Sequence, residues 1–495
     1  MIYNYKTKPY NHQKEVFELS RDETVYALFM EMGTGKSKVI IDTIAYNYLK
    51  RNIFSAIIIA PNGVHTNWLR NEIPAHLPDN IKWDAFLWEG KKTKKAKKEF
   101  DYVMNLRNKL TFLIINIDAL STDRGKNAVI GWINHTIDNI VIIDESSRIK
   151  TPNSRRTKNI LKISKQAYFK RILTGTPITN NQLDLFSQFA FLGLNIIGEK
   201  TFWNFQNKYA KWETQTNWKT KREYRTLIGF SNTRKLIEKI KPYTYYCKKS
   251  ECLDLPDKIY ERILIEFTPK QQKLYEQIKR DALLEITGNN GNSNVSIITP
   301  NVLSKLIRLR QVTGGFLPKT FIDENAIPGE YIDICDGKNP RLKALIELCQ
   351  DVDGKILIWS VFRPEIKAIS DALKEEFGKN SVVEYHGGIN RVDRINAVNS
   401  IQCNDTVRFF IGQPQSGGIG LTLTGANTVI YYSNSFNSED RWQSEDRAHR
   451  IGQTKNVTYF DFEVEGTTDT QIIHALIDKK DIATSIVKGL RDENK

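Results

Sequence analysis

Three short strings bring together residue types that can do chemistry on a phosphate. In Glu31-Met32-Gly33-Thr34-Gly35-Lys36-Ser37, two glycines allow the backbone N–H groups to turn toward phosphate oxygens; Lys36 supplies a point charge, and the Ser37 hydroxyl can ligate Mg2+. In Ile140-Val141-Ile142-Ile143-Asp144-Glu145, an apolar strand ends in two carboxylates, one suited to hold the metal and one to orient or deprotonate a water. In Gln443-Ser444-Glu445-Asp446-Arg447-Ala448-His449-Arg450, two arginines three residues apart share one helical face. A glycine turn, a polar strand exit and a helix salt-bridged through Glu445 and Asp446 would each explain one string alone. Their occurrence in one chain predicts a nucleoside triphosphate site that two lobes close, with Lys36, Asp144, Glu145, Arg447 and Arg450 as its catalytic residues.

The elements that must position these strings follow from hydrophobic patterning. Apolar runs at 25–29, 56–60, 112–115, 140–143 and 171–173 alternate with helical stretches, and the alternation returns at 355–359, 382–385, 407–411 and 428–432. Such alternation predicts an α/β protein with two parallel sheets, each covered on both faces by helices. The expected division is a first lobe over 1–245, a hinge over 246–258 that is polar and contains Pro256, and a second lobe over 259–495. A glycine- and asparagine-rich stretch at 288–294 reads as a low-complexity loop.

The chain has 495 residues, 40% of them hydrophobic, enough for two cores, and a formal net charge of +15. That charge points to a polyanionic partner. The run Lys91-Lys92-Thr93-Lys94-Lys95-Ala96-Lys97-Lys98 makes Lys94, Lys95, Lys97 and Lys98 candidate phosphate contacts, with a solvated helix face as the open alternative. Trp212, Trp218, Lys219, Lys221, Arg222, Tyr224 and Arg225 form a second basic and aromatic stretch, either a stacking element or the core of a small helical outgrowth. Five cysteines without a Cys-x-x-Cys pair predict reduced thiols and no zinc site, and His65, His76, His135 and His474 lack metal-ligand spacing. No apolar stretch is long enough to span a bilayer, and the first residues lack a secretory core. The expectation is a soluble cytoplasmic protein without a membrane partner. Its richness in Asn, Ile and Lys suggests an AT-rich genome; the expected location is a bacterial cytoplasm or an infected host cell.

The order of motifs resembles the Swi/Snf-type ATPases of helicase superfamily two over nearly the whole chain. Pro9-Tyr10-Asn11-His12-Gln13 resembles the segment that reads adenine, with Gln13 the residue carried over, and the phosphate loop is of the shortened G-x-G-K-[ST] form, with Met30 where the longer pattern has glycine. Ile57-Ile58-Ile59-Ala60-Pro61 with Asn67-Trp68 is similar to motif Ia, and Ile114-Ile115-Asn116 to Ib. Asp144-Glu145-Ser146-Ser147 is similar to motif II, and Leu173-Thr174-Gly175-Thr176-Pro177 through Asn181 to III. In the second half, 355–360 resembles motif IV and 416–424 motif V; the arginine string resembles motif VI, and Gly466-Thr467-Thr468-Asp469 the segment that ends the lobe. Ser146-Ser147 stands where many relatives have Ala-His, and 434–437 replaces a tryptophan-containing turn.

The resemblance implies two RecA-like lobes with small helical insertions, and ATP and Mg2+ as cofactors. It places Gln13, Gly33, Thr34, Gly35, Lys36, Ser37, Gly420 and Gln443 around ATP, Ser37 and Asp144 on Mg2+, and Asn116 and His386 near nucleic acid. The activity it implies is that of a monomeric ATP-dependent DNA translocase on duplex, forked or branched DNA. Fork unwinding, branch migration and clearing of a stalled polymerase are the alternatives. A silent nucleotide-sensing scaffold is disfavoured because metal, base and arginine residues are all present.

Overall fold

The computed structural model describes residues 3–488 except 63, 137, 217–222, 288–299, 322–326, 328 and 418–420. Of the expected features, Gly420, the 288–294 loop and Trp218, Lys219, Lys221 and Arg222 lie outside the described residues. The chain divides into a unit spanning Met1–Asp254, with which the end of the last helix from Lys479 groups, and a unit spanning Leu255–Asp478.

Seven strands build the first unit's sheet: β1 (Val25–Met30), β2 (Ser55–Ala60), β3 (Trp83–Trp88), β4 (Leu110–Asn116), β5 (Asn139–Asp144), β6 (Phe169–Thr174) and, beyond a hairpin of β7 (Ala210–Thr216) and β8 (Glu223–Phe230), β9 (Thr244–Cys247). Their order is β3-β4-β2-β5-β6-β1-β9, and every pairing is parallel. Successive strand residues face opposite sides. Ile57, Ile59, Leu113, Val141 and Ile143 therefore enter one core, and Ile58, Ile114, Ile140 and Ile142 enter the other. Burial on both faces is why these strands read as unbroken β-branched runs. Helices Asn11–Ser20 and Lys36–Leu49 cover one face; Asp123–His135, Arg155–Ser164 and Leu185–Leu192 cover the other.

The second unit repeats the plan with β10 (Lys258–Leu264), β13 (Ile356–Trp359), β14 (Val382–Tyr385), β15 (Phe409–Gly412), β16 (Thr428–Tyr431) and β17 (Val457–Glu463), beside a small antiparallel pair, β11 (Phe316–Pro318) and β12 (Tyr331–Asp333). The order β10-β17-β16-β13-β15-β14 is again wholly parallel. Ile356 and Ile358 pack into one core, Leu357 and Trp359 into the other.

Two expectations are corrected. The outgrowth at 210–230 is an antiparallel hairpin and not a helix; alternation of exposed and half-buried residues along both strands suits a two-stranded ribbon. Cys247 and Cys252 are disulfide-bonded, not reduced, because the chain leaves β9 directly into the one-turn helix Lys249–Cys252 and brings two residues five apart face to face. Cys335 and Cys349 are buried free thiols, and burial pushes both pKa values up to about 12. No helix among the described residues is long and apolar enough to cross a membrane.

Candidate functional site

In a parallel sheet the carboxyl ends of all strands lie on one rim, where loops can converge on a ligand. In the first unit the phosphate loop leaves β1 at Met30 and enters helix Lys36–Leu49 at Gly35. Gly33 and Gly35 take φ of 81° and 86°, the left-handed region open to glycine. A side chain at Gly35 would also strike the Gln13 amide, 2.1 Å from its Cβ position. Gln13 is buried; its Nε2 donates to the Thr34 carbonyl at 3.0 Å, and its Oε1 accepts from the Tyr10 N–H at 3.0 Å. His12, whose importance the sequence reading missed, contacts the same carbonyl through Nε2 at 2.8 Å. The Lys36 ammonium donates to the carbonyls of Met30 and Glu31 at 2.8 and 3.3 Å, while Thr34 Oγ1 donates to Glu31 O at 2.7 Å. Ser37 follows in the helix's first turn and is half-buried.

Asp144 and Glu145 stand at the tip of β5. Asp144 Oδ2 accepts from the indole N–H of buried Trp68 at 2.8 Å, and its Oδ1 accepts from the Glu145 N–H at 3.0 Å. Burial raises the Asp144 pKa, and the Trp68 bond and the Lys36 cation offset part of that rise. Oxygen donors such as Asp144 and Ser37 suit Mg2+, and a carboxylate disfavoured by burial is one that a divalent cation stabilises. Glu145 adopts φ 52°, a left-handed turn that aims its side chain away from the strand line, and its Oε2 accepts from Thr174 Oγ1 at 3.4 Å. Thr174 ends β6 and is followed by Gly175, where a Cβ would sit 3.0 Å from Met32 N. A side chain there would press on the backbone of the phosphate loop, because the chain after β6 passes directly against it. Ser146 links these motifs further: its hydroxyl donates to Gln188 Oε1 at 2.7 Å, and Gln188 Nε2 donates to Pro177 O at 2.7 Å and Asp184 O at 3.0 Å.

In the second unit, helix Ser438–Ala448 is capped by Asn437, whose side chain accepts from Glu439 N at 3.1 Å. Gln443 is buried with its amide donating to Glu439 Oε1 at 3.2 Å. The helix ends at Ala448, so Arg450 lies beyond it and does not share a helical face with Arg447 as expected; instead both guanidinium groups donate to the Leu421 carbonyl, at 3.4 and 3.1 Å, and that carbonyl gathers the pair. Glu445 is buried and not a solvated partner: Oε1 accepts from Arg441 Nε at 2.9 Å, and Oε2 from Tyr260 at 2.8 Å and Lys258 at 3.2 Å. Arg441 is further bound by Asp461 and lies 3.5 Å from the Tyr431 ring centre. Burial alone would lower the pKa of Lys258, yet Asp446 and Glu445 raise it; likewise Asp461, Tyr431 and Glu445 overcome burial at Arg441. This network holds the helix to β10 and β17. Apart from the i,i+4 pair Arg441–Glu445, its partners lie too far apart in sequence for spacing to have revealed them.

The candidate nucleic-acid residues also follow carboxyl ends of strands. Lys94, Lys95, Lys97 and Lys98 are exposed on helix Lys94–Asn105, which follows β3. Five strand spacings separate β3 from β1, about 24 Å along the rim. Asn116 caps the turn after β4, its Oδ1 accepting from Asp118 N at 2.8 Å. His386 follows β14 in the other unit; its Nδ1 accepts from Gly388 N at 3.1 Å, and its Nε2 is 3.4 Å from Glu384 Oε2.

Residues 14–314 match the model of the SNF2-related domain, and residues 337–452 that of the helicase conserved C-terminal domain. An uncharacterized ATP-dependent helicase of Mycoplasma genitalium is 26% identical over 454 residues, which cover 91% of this chain and 39% of that protein. An ISWI chromatin-remodeling complex ATPase of Saccharomyces cerevisiae is 24% identical over 489 residues, covering 96% of this chain and 40% of the relative. The chain thus spans about two fifths of the length of these curated relatives. The solved SWI2/SNF2 ATPase core of Sulfolobus solfataricus in complex with dsDNA aligns with a TM-score of 0.41 and 22% identity, covering 98% of this chain and 95% of that one.

Proposed function

The chain belongs to the SNF2-related, Swi/Snf-type family, and from that premise we propose that it hydrolyses ATP to move along DNA. One observation carries the reading. The Gln13–Thr34 clamp, the phosphate loop, the packing of Gly175 on Met32, the Thr174–Glu145 bond and the Ser146–Gln188–Pro177 chain form one continuous path. Such a path ties the groups that would bind and cleave ATP to the motif that leads away from them. In the proposed reaction the Glu145 carboxylate accepts a proton from water as its oxygen bonds to the γ-phosphorus, and the bond to the β-phosphate oxygen breaks with its electron pair. Mg2+, held by Ser37 and Asp144, would neutralise charge on the phosphates. Lys36 binds those phosphates, and Arg447 and Arg450 are proposed to stabilise the transferring group. The net charge of +15 supports a polyanionic track.

The test is ATP turnover measured without nucleic acid and with duplex, single-stranded, forked and four-way DNA and with RNA. DNA is expected to stimulate hydrolysis. Arg450→Ala is expected to reduce the stimulated rate ~10³-fold or more while nucleotide still binds. Indifference to every DNA, or an unchanged rate in the variant, would overturn the reading.

A further inference from the structure

The hairpin of β7 and β8 plays no part in the nucleotide chemistry, yet it is fixed to the segment that ends motif III. Gln182, fully buried, follows Asn181 directly. Its Nε2 donates to Tyr209 O at 2.5 Å and to Ser231 O at 3.3 Å, one on each side of the hairpin, and its Oε1 accepts from Thr233 Oγ1 at 2.7 Å. Just beyond it, Asp184 Oδ2 accepts from Thr179 N, Thr179 Oγ1 and Asn180 N at 2.9, 3.0 and 2.8 Å. Hydrogen bonds thereby tie the base of the hairpin to Gln182 and the motif III loop to Asp184, two residues further along the same turn.

The hairpin's side bears a stacked surface. The Arg225 guanidinium lies 5.2 Å from the Trp203 ring centre and 5.1 Å from that of Trp212. Both flanks are pinned, Arg225 Nη1 donating to Asn207 Oδ1 at 2.9 Å and Trp212 Nε1 to Gln206 O at 3.2 Å. Trp203 remains 58% exposed. Among the described residues between 203 and 235 there are five lysines and arginines against two glutamates; Lys208 and Arg234 pair with Glu199 and Glu238, while Lys211 on β7 is exposed. Trp212 lies in β7, Arg225 in β8 and Trp203 in the helix Phe202–Tyr209 just before them, and all three belong to the described residues.

An open indole beside a held guanidinium, with the exposed Lys211 on the same hairpin, is a platform on which an unpaired base can stack while its phosphate meets the charge. A duplex hides its base faces, so it cannot use the indole in this way. We propose that this surface binds single-stranded DNA and that Gln182 ties the bound strand to motif III. The proposal rests on the reading of the chain as a DNA motor and adds a grip on an unpaired strand, which directs the motor to forks or gapped DNA.

The experiment measures binding of a labelled oligothymidylate and a duplex of equal length to the full chain, with melting curves to verify folding. Trp203→Ala is expected to weaken oligothymidylate binding about 5- to 100-fold, with duplex binding less affected. Arg225→Gln is expected to reduce the slope of log affinity against log salt by about 0.7 for the single strand. Thr233→Val, which removes the donor to Gln182, is expected to keep oligothymidylate affinity but lose at least about half of its stimulation of ATP hydrolysis. Unchanged single-strand affinity in folded Trp203→Ala and Arg225→Gln overturns the surface. So does equal loss on both DNAs, or self-association of the wild type that Trp203→Ala abolishes while DNA binding stays intact. Full stimulation in Thr233→Val overturns the link to motif III. A wild type that binds oligothymidylate but shows no stimulation by any DNA would instead sink the motor reading and leave the surface standing.

Discussion

In the proposed reaction Lys36 and Glu145 do different work at the level of single atoms, and their variants separate the two roles. The lysine would meet phosphates that carry charge before, during and after cleavage, whereas the glutamate would act only on the attacking water. Glu145→Gln is therefore expected to bind ATP with near wild-type affinity and hydrolyse it at least ~10²-fold more slowly, since a positioned base contributes about that much. Lys36→Ala should also weaken binding, as equilibrium binding of a fluorescent ATP analogue would report; wild-type turnover in Glu145→Gln would refute the assignment. Glu365 offers a test unrelated to catalysis. It is buried, its Oε2 accepting from Ser360 and Ser433 at 2.6 Å each, while Oε1 has no hydrogen-bond partner among the described residues. Burial raises its pKa despite those two donors and the cations Arg341 and Arg310. A carboxyl whose folded pKa is raised binds its proton more tightly when folded. Its contribution to stability is therefore complete below the unfolded value near ~4.3 and is lost as pH rises through the folded value. Glu365→Gln keeps an acceptor for both serines and never ionises, so its melting temperature relative to wild type should rise from pH 5 to pH 8; a constant difference would show that the group does not titrate.

At the scale of elements, what could be read from sequence depended on burial. Interior strands such as β2, β5 and β13 stood out because both faces are apolar. The sequence reading passed over the edge strands β3, β9 and β10, whose residues are partly exposed or polar, as in Thr244-Tyr245-Tyr246-Cys247, and over the interior strand β17, whose apolar run is broken by Thr458, Asp461 and Glu463; edge strand β14 was read. The phosphate loop and its carboxylates were legible because short spacing is enough to define them, whereas Trp68 on Asp144, or Ser146 on Gln188, are pairs that only the fold brings together. The second pair can be tested as a unit. Gln188→Leu alone leaves the Ser146 hydroxyl and the Pro177 carbonyl without their partner, at a cost of about 1–3 kcal/mol. Ser146→Ala with Gln188→Leu removes both polar groups where the two side chains meet and should recover part of that deficit, giving a coupling energy of at least ~0.5 kcal/mol in a denaturation cycle. Strict additivity would mean the bridge contributes nothing. The helix Lys94–Asn105 carries another test, because it packs Phe100, Val103 and Met104 inward and leaves its lysines outside. Replacing Lys94, Lys95, Lys97 and Lys98 with Gln should weaken duplex binding similarly for all sequences and flatten its salt slope by up to ~0.9 for each phosphate that is no longer neutralised. An unaltered slope would leave those lysines a solvated face.

For the whole molecule, hydrolysis becomes movement only if the nucleotide state biases two arrangements that hold DNA differently. Each unit is an α/β layer with buried cores on both faces of its sheet, and the motifs that would touch nucleotide are divided between them. A motor of this design can advance along one strand of an intact duplex, because shifting a phosphate grip does not require the base pairs to open. Strand separation needs in addition an element that engages an unpaired strand, the role proposed for the hairpin surface at Trp203 and Arg225. The two activities therefore separate experimentally. With ATP, the chain is expected to displace the third strand of a triplex, to leave plain duplex closed, and to open forks only while that surface is intact. Trp203→Ala should keep triplex displacement and lose fork opening. Efficient opening of plain duplex without triplex displacement would overturn translocation as the basic activity, and activity confined to four-way junctions would replace it with branch migration.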